Sequence, residues 1–112
     1  MKVRSIFYDE EFLRNMSEDF MRKFICLDDV IPMRINSIIM DYIPNWNIQR
    51  LDFIGDNDKF ISKIREERFI ARSLPSVERR EYHNNLALDF IERHPEFAPI
   101  IKEVKYIDVG FF

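Results

Sequence analysis

The chain has 112 residues, 46% of them hydrophobic and 14% aromatic, enough for one closed core and too few for two ordinary ones. Its 17 basic and 20 acidic side chains leave a net charge of −3, which fits neither a general polyanion binder nor an extreme mimic of nucleic acid. With glycine only at Gly55 and Gly110, the clustered glycines that let a backbone approach a pyrophosphate are missing, and nucleotide-cradling loops are excluded.

The first segment, near residues 3–8, is rich in β-branched and aromatic side chains (Val3, Ile6, Phe7, Tyr8) without helical spacing, and reads as a short strand. Asp9 is placed to cap a helix whose first turn carries Glu10 and Glu11, and Phe12, Leu13, Met16, Phe20 and Phe24 recur at helical spacing. Ser17, followed by Glu18 and Asp19, is a second start signal within that stretch. Pro32 then suits a first helical turn. Ile35, Ile38, Ile39, Tyr42 and Ile43 follow at i, i+3, i+4, i+7 and i+8, the clearest helical stripe in the sequence.

Pro44, Asn45, Trp46 and Asn47 form a turn, after which the alternation of Leu51, Asp52 and Phe53 predicts a strand near 48–54. Asp56, Asn57 and Asp58 open a further helix with Phe60, Ile61, Ile64 and Ala71 on one face and Phe69 projecting away from it. Leu74 and Pro75 end it. Ser76 is expected to cap the last long helix, which carries Glu78 in its first turn and an inner stripe of Leu86, Ala87, Phe90 and Ile91, and which Pro95 stops. A final strand is predicted near 100–109. The expected architecture is one α+β domain over 1–112, mainly helical, with about four helices and a small sheet.

The sequence carries little that points to catalysis. His83 and His94 lie 11 residues apart on one predicted helix, roughly 16 Å along its axis, so they cannot share a metal ion and are expected to be rim or core histidines with one hydrogen-bond partner each. Cys26, the sole cysteine, has no intramolecular disulfide partner and reads as a small buried apolar residue, as suits a reducing cytoplasm. Tyr82-His83-Asn84-Asn85 matches only a fragment of a His-Asn-His nuclease pattern. Glu103-Val104-Lys105 has the acidic-x-Lys spacing of metal-dependent nucleases, but Asp89 and Asp108 are the only close candidates for the further carboxylate such a site needs and nothing marks either. No serine lies in a glycine elbow. No metal and no cofactor is expected, and the chain is read as not an enzyme.

Binding features are easier to find. Residues 59–80 hold seven basic and three acidic side chains, a local charge of +4 against −7 for the remainder. Arg65, Arg68 and Arg72 fall on one flank of the predicted helix and Lys59 and Lys63 on the other, with Arg79 and Arg80 beyond the turn. A solvated face with ion pairs such as Lys63 to Glu67 is the plainer reading, and contact with phosphates or an acidic partner the functional one. Trp46 in its turn, and Phe111 and Phe112 after Gly110, are aromatic anchors for a partner or lids on the chain's own core. Lys2 and Arg4 meet Asp9, Glu10 and Glu11 before any signal-length apolar stretch, and runs such as Ile38-Ile39-Met40 fall far short of the roughly 20 residues of a membrane span, so neither a targeting segment nor a membrane partner is expected.

These features point to a non-enzymatic module that binds a protein partner through Trp46, the Arg65–Arg80 region and Phe111–Phe112, with homo-oligomers also open. Residues favoured by AT-rich codons outnumber Gly, Ala, Arg and Pro by more than two to one, which is in keeping with a phage or mobile-element antagonist of a host machine or a toxin-immunity protein. Nucleic-acid binding through Arg65–Arg80 is the alternative reading, and a small metal-dependent nuclease the third.

Overall fold

A computed structural model describes residues 2–42 and 58–108. Strand β1 (Lys2–Tyr8) leads into helix α1 (Glu10–Arg14), α2 (Glu18–Ile25) and α3 (Met33–Met40). Helices α4 (Asp58–Arg72) and α5 (Ser76–Arg93), a 3-10 helix (Pro95–Ile100) and strand β2 (Ile101–Asp108) follow. The fold is α+β, mainly helical, with the two strands forming an antiparallel pair. The strand expected near 48–54 lies outside the described residues.

The helix starts follow from the side chains before them. Asp9 accepts the Phe12 N–H at 3.0 Å and Ser17 accepts the Phe20 N–H at 3.1 Å, so the stretch from 9 to 25 is two capped helices with a break at Asn15 and Met16. Asn15 closes the first by donating its side-chain amide to the Glu11 carbonyl at 2.8 Å. Exposed pairs one turn apart accompany both, Glu10 with Arg14 at 3.1 Å and Glu18 with Arg22 at 2.8 Å, and solvent screening keeps the contribution of each small.

The last long helix starts differently from expectation. Pro75 occupies the cap position with φ −58° and ψ 158°, and Ser76 is already the first helical residue, so its hydroxyl makes no capping bond. Proline holds the extended entry geometry by its own ring and leaves the cap without a side-chain acceptor. Pro95 ends α5 as expected, but six residues of 3-10 helix intervene before β2.

That 3-10 turn supplies the centre of the core. Phe97 is fully buried and packs edge-on against Phe20 at 5.4 Å and Phe24 at 6.3 Å, and tilted against Phe90 at 5.7 Å. Leu13, Ile25, Ile35, Ile39, Ala87 and Ile100 complete the cluster, so α1, α2, α3 and α5 all bury one stripe against it. Cys26 stands outside: it follows α2 at the helix end and is exposed, which overturns the buried reading taken from its apolar neighbours.

In the sheet, Val3 faces Ile107, Ser5 faces Lys105 and Phe7 faces Glu103, and the register shifts between Phe7 and Tyr8 so that Tyr8 pairs with Ile101. Beyond that irregularity the Asp9 N–H still reaches the Ile100 carbonyl at 2.8 Å, placing the start of α1 beside the end of the 3-10 turn. Buried Asn84 of α5 donates to the Arg4 carbonyl at 2.8 Å, and the Arg4 guanidinium donates to Asn85, which fixes α5 across the strand.

Candidate interaction surface

Helix α4 has two opposite faces of unlike chemistry. Glu67 and Ala71 are buried, and Phe69 lies two residues from each, about 200° around the helix, where its ring is 77% exposed. Arg65 precedes Phe69 by four residues and Arg72 follows by three, so both flank the ring on the same outward face, with Arg68 beside them. All three arginines are exposed.

What sets them apart is the lack of a counterion among the described residues. Arg14 and Arg22 are paired with carboxylates on their own helices, and Arg93 lies 3.7 Å from Asp29. Among the described residues Arg65, Arg68 and Arg72 have no hydrogen-bond or ion-pair partner. Lys63, on the other flank, pairs with Glu66 at 3.8 Å and not with Glu67 as the spacing had suggested. Glu67 points inward instead and is committed elsewhere.

Its two oxygens hold three helices together. Oε1 accepts the Met33 N–H at the start of α3 at 3.2 Å, and Oε2 accepts from His83 Nδ1 of α5 at 2.7 Å. A buried carboxylate is tolerated only with such partners. The same buried side fixes the α4–α5 turn: Arg79 donates Nε to the Ala71 carbonyl at 2.8 Å and Nη2 to the Leu74 carbonyl at 3.1 Å, satisfying groups at the end of α4. Arg79 thus braces the turn while remaining, like Arg80 next to it, exposed. The arginine-flanked Phe69 is therefore presented on a helix anchored from behind.

The other sequence candidates resolve into structural contacts. His94 Nε2 lies 2.6 Å from Asp29 Oδ2, so each histidine does have one hydrogen-bond partner, a carboxylate on another element. Burial alone would raise the Asp29 carboxyl. The hydrogen bonds from His94 and the Val30 N–H, together with the Arg93 charge, outweigh it and hold Asp29 below its ordinary value. Tyr82 is pushed up by burial and by the neighbouring charges of Glu67 and Glu66. In the His83-Asn84-Asn85 segment both asparagines serve the bond to β1 already described. Glu103 and Lys105 pair with each other at 3.4 Å, and the Lys105 ammonium sits 4.9 Å from the centre of the Phe7 ring. No group of three His, Cys, Asp or Glu side chains suited to a metal ion occurs among the described residues.

Two cavities bear on binding. One of about 320 Å³ lies between Asp29, Pro32, Glu67, Tyr82 and Arg93, and so takes in the carboxylate residue of each histidine pair. The other, about 610 Å³, opens at the corner of β1 and α1. Ile6, Leu13, Ile38 and Tyr42 line it on the apolar side, and Asp9, Glu10, Glu11 and Glu103 contribute carboxylates.

Trp46, Phe111 and Phe112 lie outside the described residues. Sequence reasoning placed Phe69 off the apolar stripe without counting it among the anchors, although its position amid three arginines was the signal. It also missed Glu67, which falls in the series Ile64, Glu67, Ala71 at i, i+3, i+7, the position of a buried residue. Comparison of the chain with protein-family models, with curated proteins and with solved structures finds no match. No helix among the described residues is long and apolar enough to cross a membrane.

Proposed function

We propose that this chain is a non-enzymatic protein-binding module, an inhibitor or antagonist that acts by occluding a macromolecular partner. The observation that carries the reading is Phe69, 77% exposed in the middle of a helix whose opposite face is anchored, with three exposed arginines around it that have no counterion among the described residues. Aromatic and arginine side chains dominate binding hot spots because they bury large rigid surfaces and place directional donors at the rim. A helix is convex, so the partner would supply a phenyl-sized recess with carboxylates about it. The kind of antagonist, whether anti-defence or toxin-immunity, rests on size and codon bias by analogy.

The test compares wild type with Arg68→Glu/Arg72→Glu and with Phe69→Ala in a pull-down from the native host, followed by mass spectrometry and by melting temperature. A partner lost from both variants while stability changes by less than about 0.5 kcal/mol supports the reading. Nucleic-acid binding is the competing use of the same arginines. Three phosphate contacts would cost about one and a half orders of magnitude in affinity between 50 and 200 mM salt, far more than an aromatic-anchored interface loses. Cleavage of DNA or RNA in magnesium or manganese, abolished by Glu103→Ala, would overturn the non-enzyme reading.

A further inference from the structure

The chain carries both a knob and a hole of opposite charge, on elements distant in sequence. The knob is Phe69 with Arg65, Arg68 and Arg72. The hole is the cavity of about 610 Å³ at the corner of β1 and α1, where four carboxylates (Asp9, Glu10, Glu11, Glu103) face two cations, Arg14 and Lys102. Asp9 is occupied as a helix cap, Glu10 by Arg14 and Glu103 by Lys105, whereas the Glu11 side chain has no partner among the described residues. Ile6, Leu13 and Ile38 give the hole an apolar wall suited to a ring, and its volume lies within the range of ligand-sized pockets. Phe69 is exposed, so the hole of its own chain does not hold it.

We propose that the chain self-associates head to tail, Phe69 of one copy entering the acid-rimmed cavity of a second copy while Arg65, Arg68 and Arg72 lie over the carboxylates. The two surfaces differ, so the contact is heterologous and leaves a free knob at one end and a free hole at the other, generating short chains or a ring. The proposal rests on the reading of the Phe69 face as a binding surface, and it gives that face a second occupant: another copy and the partner compete for it.

Sedimentation velocity of the full chain over a concentration series tests this. The expected result is a mass that rises with concentration and falls with added salt. Phe69→Ala weakens the association roughly thirtyfold or more, as for a hot-spot aromatic. Glu11→Lys/Glu103→Lys, which reverses the rim and leaves the knob intact, gives a monomer with an unchanged melting temperature. Mixing that rim variant with Phe69→Ala, whose hole is intact, restores a one-to-one dimer that cannot grow. A wild-type chain that stays monomeric at every concentration, self-association unaffected by the rim reversal, or a mixture that fails to dimerise overturns the proposal. Partner capture by the rim variant, which keeps the Phe69 face, distinguishes this failure from failure of the binding reading itself.

Discussion

Glu67 and His83 face each other across α4 and α5 at 2.7 Å, and because the other carboxylate oxygen of Glu67 accepts the Met33 N–H, this one pair joins three helices. Removing the carboxylate would leave a backbone donor and an imidazole without their acceptor in a largely dry setting. Glu67→Ala is expected to cost about 2–4 kcal/mol, read as a shift of the urea midpoint at unchanged slope. Glu67→Gln keeps an acceptor for Met33 and loses less. A loss below about 0.5 kcal/mol for the alanine would place Glu67 with ordinary surface residues.

Tyr8 offers a test at high pH. Its hydroxyl is buried with no hydrogen-bond partner among the described residues, and burial pushes the phenol up to about 12 against an opposing pull from the Arg34 charge. The folded state therefore favours the neutral form, a contribution fully present below the ordinary value of 10.0 and lost as pH rises from there towards about 12. Tyr8→Phe should flatten the stability profile in that window. It should also raise stability at neutral pH by about 1 kcal/mol, since it deletes an unsatisfied hydroxyl. Denaturation of both proteins at neutral pH and through the alkaline range measures the two effects, and a phenylalanine variant less stable than wild type would mean the hydroxyl has a partner.

Asp29 works at the other end of the scale. Its carboxyl is held low by His94, Val30 and Arg93 despite the opposing effect of burial, so the stability it contributes is present above the ordinary aspartate value and is lost as pH falls through the lowered one. Asp29→Asn should lower stability at neutral pH and reduce the steepness of acid unfolding. Melting temperatures from neutral to acid pH check this, and parallel curves for the two proteins would count against the assignment.

The helices were largely readable because their signals are local. Asp9 and Ser17 cap the helices their neighbours predicted, Ile35 and Ile39 are buried as their spacing required, and Phe69 points away from the core as its phase implied. What could not be read depended on distant residues. The pairing of Val3 with Ile107 joins segments about a hundred residues apart, and no spacing within either strand selects the other. Phe97 sits between two prolines in a stretch without helical periodicity, yet it is the hub of the aromatic core. The arginine surface was legible as charge. That Arg79 folds back to brace a helix end while Arg65, Arg68 and Arg72 have no counterion among the described residues was not, because the difference lies in the turn geometry and not in the residue type.

The antiparallel pairing of β1 with β2 also bears on how the chain reaches this state during synthesis. Once Tyr8 has left the ribosome, its ladder partner Ile101 has still to be made, and the whole helical part must be produced in between. Closing so long a loop costs more conformational entropy than any local helix contact, and non-local pairing of this kind forms slowly. The helical stripes around Phe24, Ile35 and Phe90 are thus expected to gather first and the ladder to form last. Pulsed hydrogen exchange would register this as late protection of the Val3 and Ser5 amides. Until that moment β1 is a nascent strand with unpaired backbone groups, the stage at which the chain is most open to pairing with another molecule in place of its own distant segment.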